Sequence, residues 1–309
     1  MPLAKPPGAR ATEAKPERRR PAPKRRRHFT PARIGIYGFL SIDALFFLLP
    51  LYVTLVTSVK PMNEIRMGHI LALPLHVTLA PWQDAWSSAY TGLECAGIRV
   101  GFWSSVRIVV PGTIISIAVG AVNGYALSFR RPRGAGVLFA VLLAGAFIPM
   151  QVMVYPLVRI LAAVHLFASL PGIVVIHTIF GMPVMTLPFR NDYAALPQEF
   201  FKAARIDGGG FWRIFGQLML PMSAPIIVVA LIMQVTGIWN DYILGLVFAG
   251  TKNLPMTVQL NNIINTTTGE RLYNVNMAAT ILTSLVPLAI YFVSGRWFGR
   301  GVASGAMQG

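Results

Sequence analysis

The sequence predicts an all-α polytopic membrane protein with six transmembrane helices, and three observations carry that prediction. Of its 309 residues, 54% are hydrophobic and only 12% charged, whereas a soluble domain has about a quarter of its residues charged. The apolar residues gather into runs that reach or exceed the roughly 20 residues needed to cross about 30 Å of hydrocarbon. Lys and Arg, finally, fall mostly between alternate runs, the asymmetry expected of a chain threaded back and forth through a bilayer.

Taken in order, the chain opens with residues 1–33, which hold 11 of the 27 Lys and Arg and little apolar surface. Such a segment cannot bury enough to fold alone and is predicted to be a disordered basic cytoplasmic tail. Its charge suits topogenic and lipid-facing roles. The net charge of +16 does not predict nucleic-acid binding, because no aromatic or folded module accompanies the basic run.

Residues 34–309 are read as one six-span helical domain, with helices at 34–58, 101–129, 134–162, 167–189, 222–249 and 275–298. Helices are required because lipid leaves backbone groups no other partner. The first run is long enough to be retained as an anchor rather than removed as a signal peptide. Pro50, Pro111, Pro149, Pro156, Pro183, Pro225 and Pro287 lie inside these runs, so kinked helices are expected.

With the N-terminus inside, the inner side takes eleven basic residues in the tail and three at Arg130, Arg131 and Arg133. Four more lie at Arg190, Lys202, Arg205 and Arg213, and two at Arg296 and Arg300, which makes twenty of the 27. Both termini are therefore expected in the cytoplasm. The loops left outside are 59–100, where Trp82 and Trp86 are expected at the interface, and 250–274, rich in Asn and Thr and read as a solvated loop or a contact for another protein.

Residues 197–221 carry the functional signal. Pro197 suits the start of a helix and Glu199 its positive first turn. Gly208, Gly209 and Gly210 supply a left-handed stop, after which a second short helix restarts at Phe211. Phe200, Ala203, Ala204 and Asp207 fall at i, i+3, i+4 and i+7, on one face. The two alanines leave a shallow surface that another protein can approach closely, while the plainer reading is an amphipathic helix lying at the membrane interface.

This segment resembles the cytoplasmic loop of ATP-binding-cassette importer permeases, E-A-A-x-x-x-G-x9-I-x-L-P. Ala203, Ala204 and Gly208 match it, followed after nine residues by Leu218, then Leu220 and Pro221. Lys202 departs from it, standing where the family has glutamate. The wider chain is similar to the carbohydrate-importing branch, like the six-span maltose-system permease, through Pro149-Met150-Gln151, Ile206-Asp207-Gly208 and Trp239-Asn240-Asp241. The stretches 255–260 and 273–279 look most like glucose and mannose members.

The resemblance implies that residues 197–221 couple the chain to an ATPase, through Glu199, Lys202, Ala203, Ala204, Asp207, Gly208, Leu220 and Pro221. It implies as partners a second homologous permease, an ATPase dimer that holds the ATP and Mg, and an extracytoplasmic sugar-binding protein, with the inner membrane of a prokaryote as their setting.

Trp239, Asn240 and Asp241 sit within a span, where an acid is costly and a functional role is the default. They offer the amide, carboxylate and aromatic face that a sugar needs, but equally suit bonds to neighbouring helices. Gln151, Gln234 and Tyr155 are weaker candidates for the same path and suit packing or interhelical bonding better. The small-residue run from Gly120 to Gly124 permits close helix packing, within this subunit or against another.

Lone Cys95 allows neither an internal disulfide nor a cysteine metal cluster, and the five histidines lack ligand spacing. No Gly-Lys phosphate loop, H-E-x-x-H or G-x-S-x-G is present, so the chain is expected to be non-catalytic, with no cofactor or metal of its own. The rival readings are a self-contained secondary carrier and an importer of the same class for a polyamine, phosphate or other non-sugar solute.

Overall fold

The computed structural model describes residues 31–92, 94–130, 133–265 and 270–306. The expected tail up to residue 30, the Thr266–Thr268 and Gly269 part of the second outer loop, and residues 307–309 lie outside them. Every regular element among the described residues is helical.

The described chain divides at Leu49–Pro50. The first unit is the N-terminal part of α1 (Pro31–Ser58), whose apolar side chains, from Ile34 through Leu49, are exposed. A helix apolar all round is suited to lipid. It begins at Pro31, a residue preadapted to a first turn, so the helix starts inside the segment expected to be disordered.

The second unit starts with the rest of α1. Two short helices follow, α2 (Met62–Arg66) and α3 (Ala80–Ser87), and then α4 (Arg99–Tyr125), which runs on into a π-helical turn at Ala126–Arg130. Next come α5 (Ala135–Ala146), α6 (Met150–Ala163) and α7 (Leu170–Ala195). α8 (Gln198–Ile206) and α9 (Phe211–Ile214) lead to a second π-helical turn at Phe215–Met219 and to α10 (Leu220–Met222). The chain closes with α11 (Ala224–Asn240), α12 (Ile243–Phe248), α13 (Met256–Ile264) and α14 (Tyr273–Ala306).

Among the described residues four helices are long and apolar enough to cross a membrane, and six spans result if each of two bent pairs counts as one. The bends are sharper forms of the kinks expected at the prolines. The span expected at 134–162 is α5 and α6 meeting at 103°, because Pro149 caps α6 in an extended conformation. The span expected at 222–249 starts at an 80° bend at Ser223, which sets Ala224–Asn240 off from Phe211–Met222, and is interrupted at Asp241 and Tyr242.

The loop expected at 250–274 also holds a helix. α13 buries Met256, Val258, Gln259 and Ile263, and its start is fixed to α4 by Met256 N donating to Ser105 Oγ (2.8 Å) and Gly101 N donating to Gln259 Oε1 (2.8 Å). Its asparagines are engaged too: Asn262 Nδ2 donates to Thr91 O at 2.8 Å and Asn261 Oδ1 accepts from Tyr242 at 3.2 Å.

Small residues decide how the spans meet. Gly112, Ser116, Gly120 and Gly124, one turn apart, are all buried along one side of α4. A Cβ on Gly120 would stand 2.5 Å from Met185 Cβ, and one on Gly124 2.7 Å from Arg190 N. The Gly120–Gly124 pattern therefore packs within this subunit, α4 against α7, the close approach that such spacing permits.

Candidate functional site

The sequence from Gln198 to Gly210 folds as its residues dictate. α8 starts one residue after Pro197, with Glu199 in its first turn. It ends in a full Schellman motif: Gly208 N donates to Arg205 O (3.1 Å), Gly209 N donates to Ala204 O (2.9 Å), and Gly208 takes φ +77°. α9 restarts from Gly210, extended at φ −74°, ψ 169°.

Aromatic side chains anchor this turn. Buried Tyr125, the last residue of α4, lies 4.7 Å from Phe211, 5.5 Å from Phe215, 5.7 Å from Phe129 and 6.1 Å from Tyr193. Phe129 stacks on Phe201 of α8 at 4.5 Å. Edge and offset ring contacts at such distances stabilise beyond simple burial. The cluster continues through Ile214, Met219, Phe189 and Ala230. It borders a cleft of about 310 Å³ walled by Tyr125, Phe129, Phe201, Arg205 and Phe211.

Anchoring fixes which face of α8 is left outward. Phe201 and Ala204 pack on the cluster, while Glu199, Phe200, Lys202, Ala203 and Asp207 are exposed. The two alanines thus divide, Ala203 outward and Ala204 inward, because adjacent helical residues are 100° apart. Neither Glu199 nor Lys202 forms an ion pair among the described residues. Leu220 and Pro221 lie in α10, with Leu220 half-buried and Pro221 exposed. Tyr125 and Phe129, missed in the sequence, had one available signal: the density of rings from Phe200 to Phe215 calls for aromatic partners elsewhere.

The expected solute-path residues do not converge. Trp239 is 1% exposed, donates Nε1–H to Thr283 O at 3.0 Å and packs edge-on against Phe102. Gln234 is buried where α4, α7 and α11 meet and donates to Ser116 Oγ at 3.1 Å. Both fit the packing alternative, since their polar groups are consumed inside the bundle. Asp241 Oδ2 accepts from Gly245 N at 3.0 Å, capping α12, and its carbonyl accepts from Thr257 Oγ1. Asn240, Gln151 and Tyr155 are exposed. Among the described residues no group of three His, Cys, Asp or Glu is placed to hold a metal ion.

Comparison with known proteins fits this architecture. Residues 101–304 match the family described as the binding-protein-dependent transport system inner membrane component. A probable ABC transporter permease protein of Pyrococcus horikoshii is 32% identical over 92% of this chain and all of its own length. A glucose import system permease protein of Saccharolobus solfataricus is 29% identical, over 86% of this chain and 92% of its own. A chain in the crystal structure of a bacterial ABC transporter involved in import of the acidic polysaccharide alginate superposes with a TM-score of 0.74. That match is at 17% identity and spans 88% of this chain and 99% of the other. With the family match spanning most of the helical bundle and a relative 32% identical over 92% of the chain, the chain belongs to the binding-protein-dependent transport system inner membrane component family.

Proposed function

We propose that this chain is the permease subunit of an ATP-driven importer that carries a sugar across the cytoplasmic membrane, with both termini in the cytoplasm. It pairs with a second, homologous permease to enclose the path. ATP and Mg are held by an ATPase dimer beneath, and an extracytoplasmic binding protein delivers the sugar; the family membership and the glucose-importer relative support that reading. The solute path runs past exposed polar side chains such as Asn240 and Gln151 rather than past Trp239 or Gln234.

The observation that carries the proposal is α8: a short helix closed by its own glycine motif, fixed from behind by rings and presenting Glu199, Lys202, Ala203 and Asp207 outward. Such a helix transmits a push without deforming, because packed interfaces switch between discrete arrangements rather than bending continuously. With Lys202 in the acidic position, docking rests on shape and on helix placement. Deleting residues 199–210 is expected to leave membrane insertion intact and abolish co-purification with the ATPase; undiminished co-purification would refute the proposal.

A further inference from the structure

The segment linking α2 to α3 has its polarity inverted. Leu71, Leu73, Leu75, Val77 and Leu79 are all exposed, Leu75 to 80%, whereas Lys60 and Glu64 beneath them are 3% and 8% exposed. Lys60 Nζ donates to His69 O (3.1 Å) and to Ala72 O, and Glu64 accepts from the amides of Leu75 (3.0 Å) and His76 (2.9 Å). Thr78 N donates to Val59 O at 2.9 Å, closing the strap on its own base. The charged side chains are thus spent on holding an irregular backbone so that its apolar side chains face out. In water that arrangement loses on both counts, since burying charges costs free energy and exposing a contiguous apolar patch forgoes it.

A second observation sets the level of the strap. Tyr52 OH donates to Leu71 O at 2.8 Å, and Tyr52 lies within the span that ends at Ser58. At 1.5 Å per residue its Cα is roughly 9 Å inside that helix end, and helical side chains lean further toward the N-terminus. The strap therefore lies beside the membrane-spanning helix at the depth where apolar chains meet headgroups. Backbone without regular hydrogen bonding does not persist deeper in lipid, and the exposed His69 and His76 suit that boundary.

We propose that residues 67–79 form an interfacial strap whose leucines insert into the headgroup–acyl boundary of the bilayer, as do the exposed Leu51 and Leu55 in the last turns of α1. The occupant is lipid, not a protein.

An environment-sensitive fluorophore placed at Leu75→Cys, in a Cys95→Ser background of the full chain, tests this. Val77→Cys serves as the second site should the first variant fail to insert. The vesicles are phosphatidylethanolamine and phosphatidylglycerol, and the measurement is repeated on the assembled transporter. The expected result, in both preparations, is blue-shifted emission, quenching by lipids spin-labelled near the headgroup and protection from aqueous iodide. Quenching by iodide without quenching by the lipid label would place the strap in water. Protection from both quenchers, or lipid quenching that disappears on assembly, would assign the patch to a protein partner; either result overturns the proposal.

Discussion

Gly208 shows how one residue governs the exposed helix. Its φ of +77° is open to glycine at no cost, while for an L side chain a left-handed conformation costs about 1 kcal/mol or somewhat more. A Cβ there would meet nothing within 4 Å, so backbone strain alone is tested by Gly208→Ala. That variant is expected to speed hydrogen exchange at the Gly208 and Gly209 amides and weaken ATPase co-purification, with insertion unchanged. Tyr125 acts from behind the helix. Tyr125→Ala leaves a hole among five rings and is expected to cost about 3 kcal/mol locally, read as a lower unfolding temperature in detergent. Because Phe201 loses its backing, co-purification should fall as well. Gly208 was legible in the sequence, since a left-handed stop needs only local chemistry; Tyr125 was not, because its partners Phe211 and Phe215 lie more than eighty residues away.

At the scale of elements, the strap between α2 and α3 responds to acid. Burial opposes ionisation of Glu64, but the amides of Leu75 and His76 and the His76 ring, 3.0 Å away, win and hold its pKa below the ordinary 4.5. Its cover is only the thin loop itself, so the effect is a local one. A carboxylate lowered in this way contributes stability that is fully present above the unfolded-state value and is lost as pH falls through the lower folded-state value. Acidification below about pH 4.5 is therefore expected to expose the 67–79 backbone to proteolysis. Glu64→Gln should leave the strap susceptible already at neutral pH and remove most of the acid dependence; an unchanged cleavage profile in that variant would contradict the assignment. The ion pair between Arg66 and Glu270 ties α2 to the approach to α14. None of this could be read from local pattern, where 69–79 is simply an apolar run too short to span.

At the scale of the whole molecule, the proposed function makes this chain one part of a larger assembly. Purified alone into proteoliposomes, the chain is expected to show no sugar flux with or without a gradient, because in the proposed function the path is enclosed with a homologue and driven by an ATPase. Flux by this subunit alone would instead establish a self-contained carrier. The sequence by itself determined the helical class, the six apolar runs and the motif at 197–221, since membrane spanning and helix capping depend on composition and on residues within a turn of one another. Only the tertiary structure decided how sharply two spans bend and that α13 folds inside a loop. It alone decided that Trp239 and Gln234 face the bundle interior, and that buried charges hold leucines outward. The packing of Trp239 and Gln234 rests on partners 44 and 118 residues apart, Thr283 and Ser116. Local periodicity states which side chains are apolar or polar; which group satisfies each of them is settled only when distant helices compete for the same space.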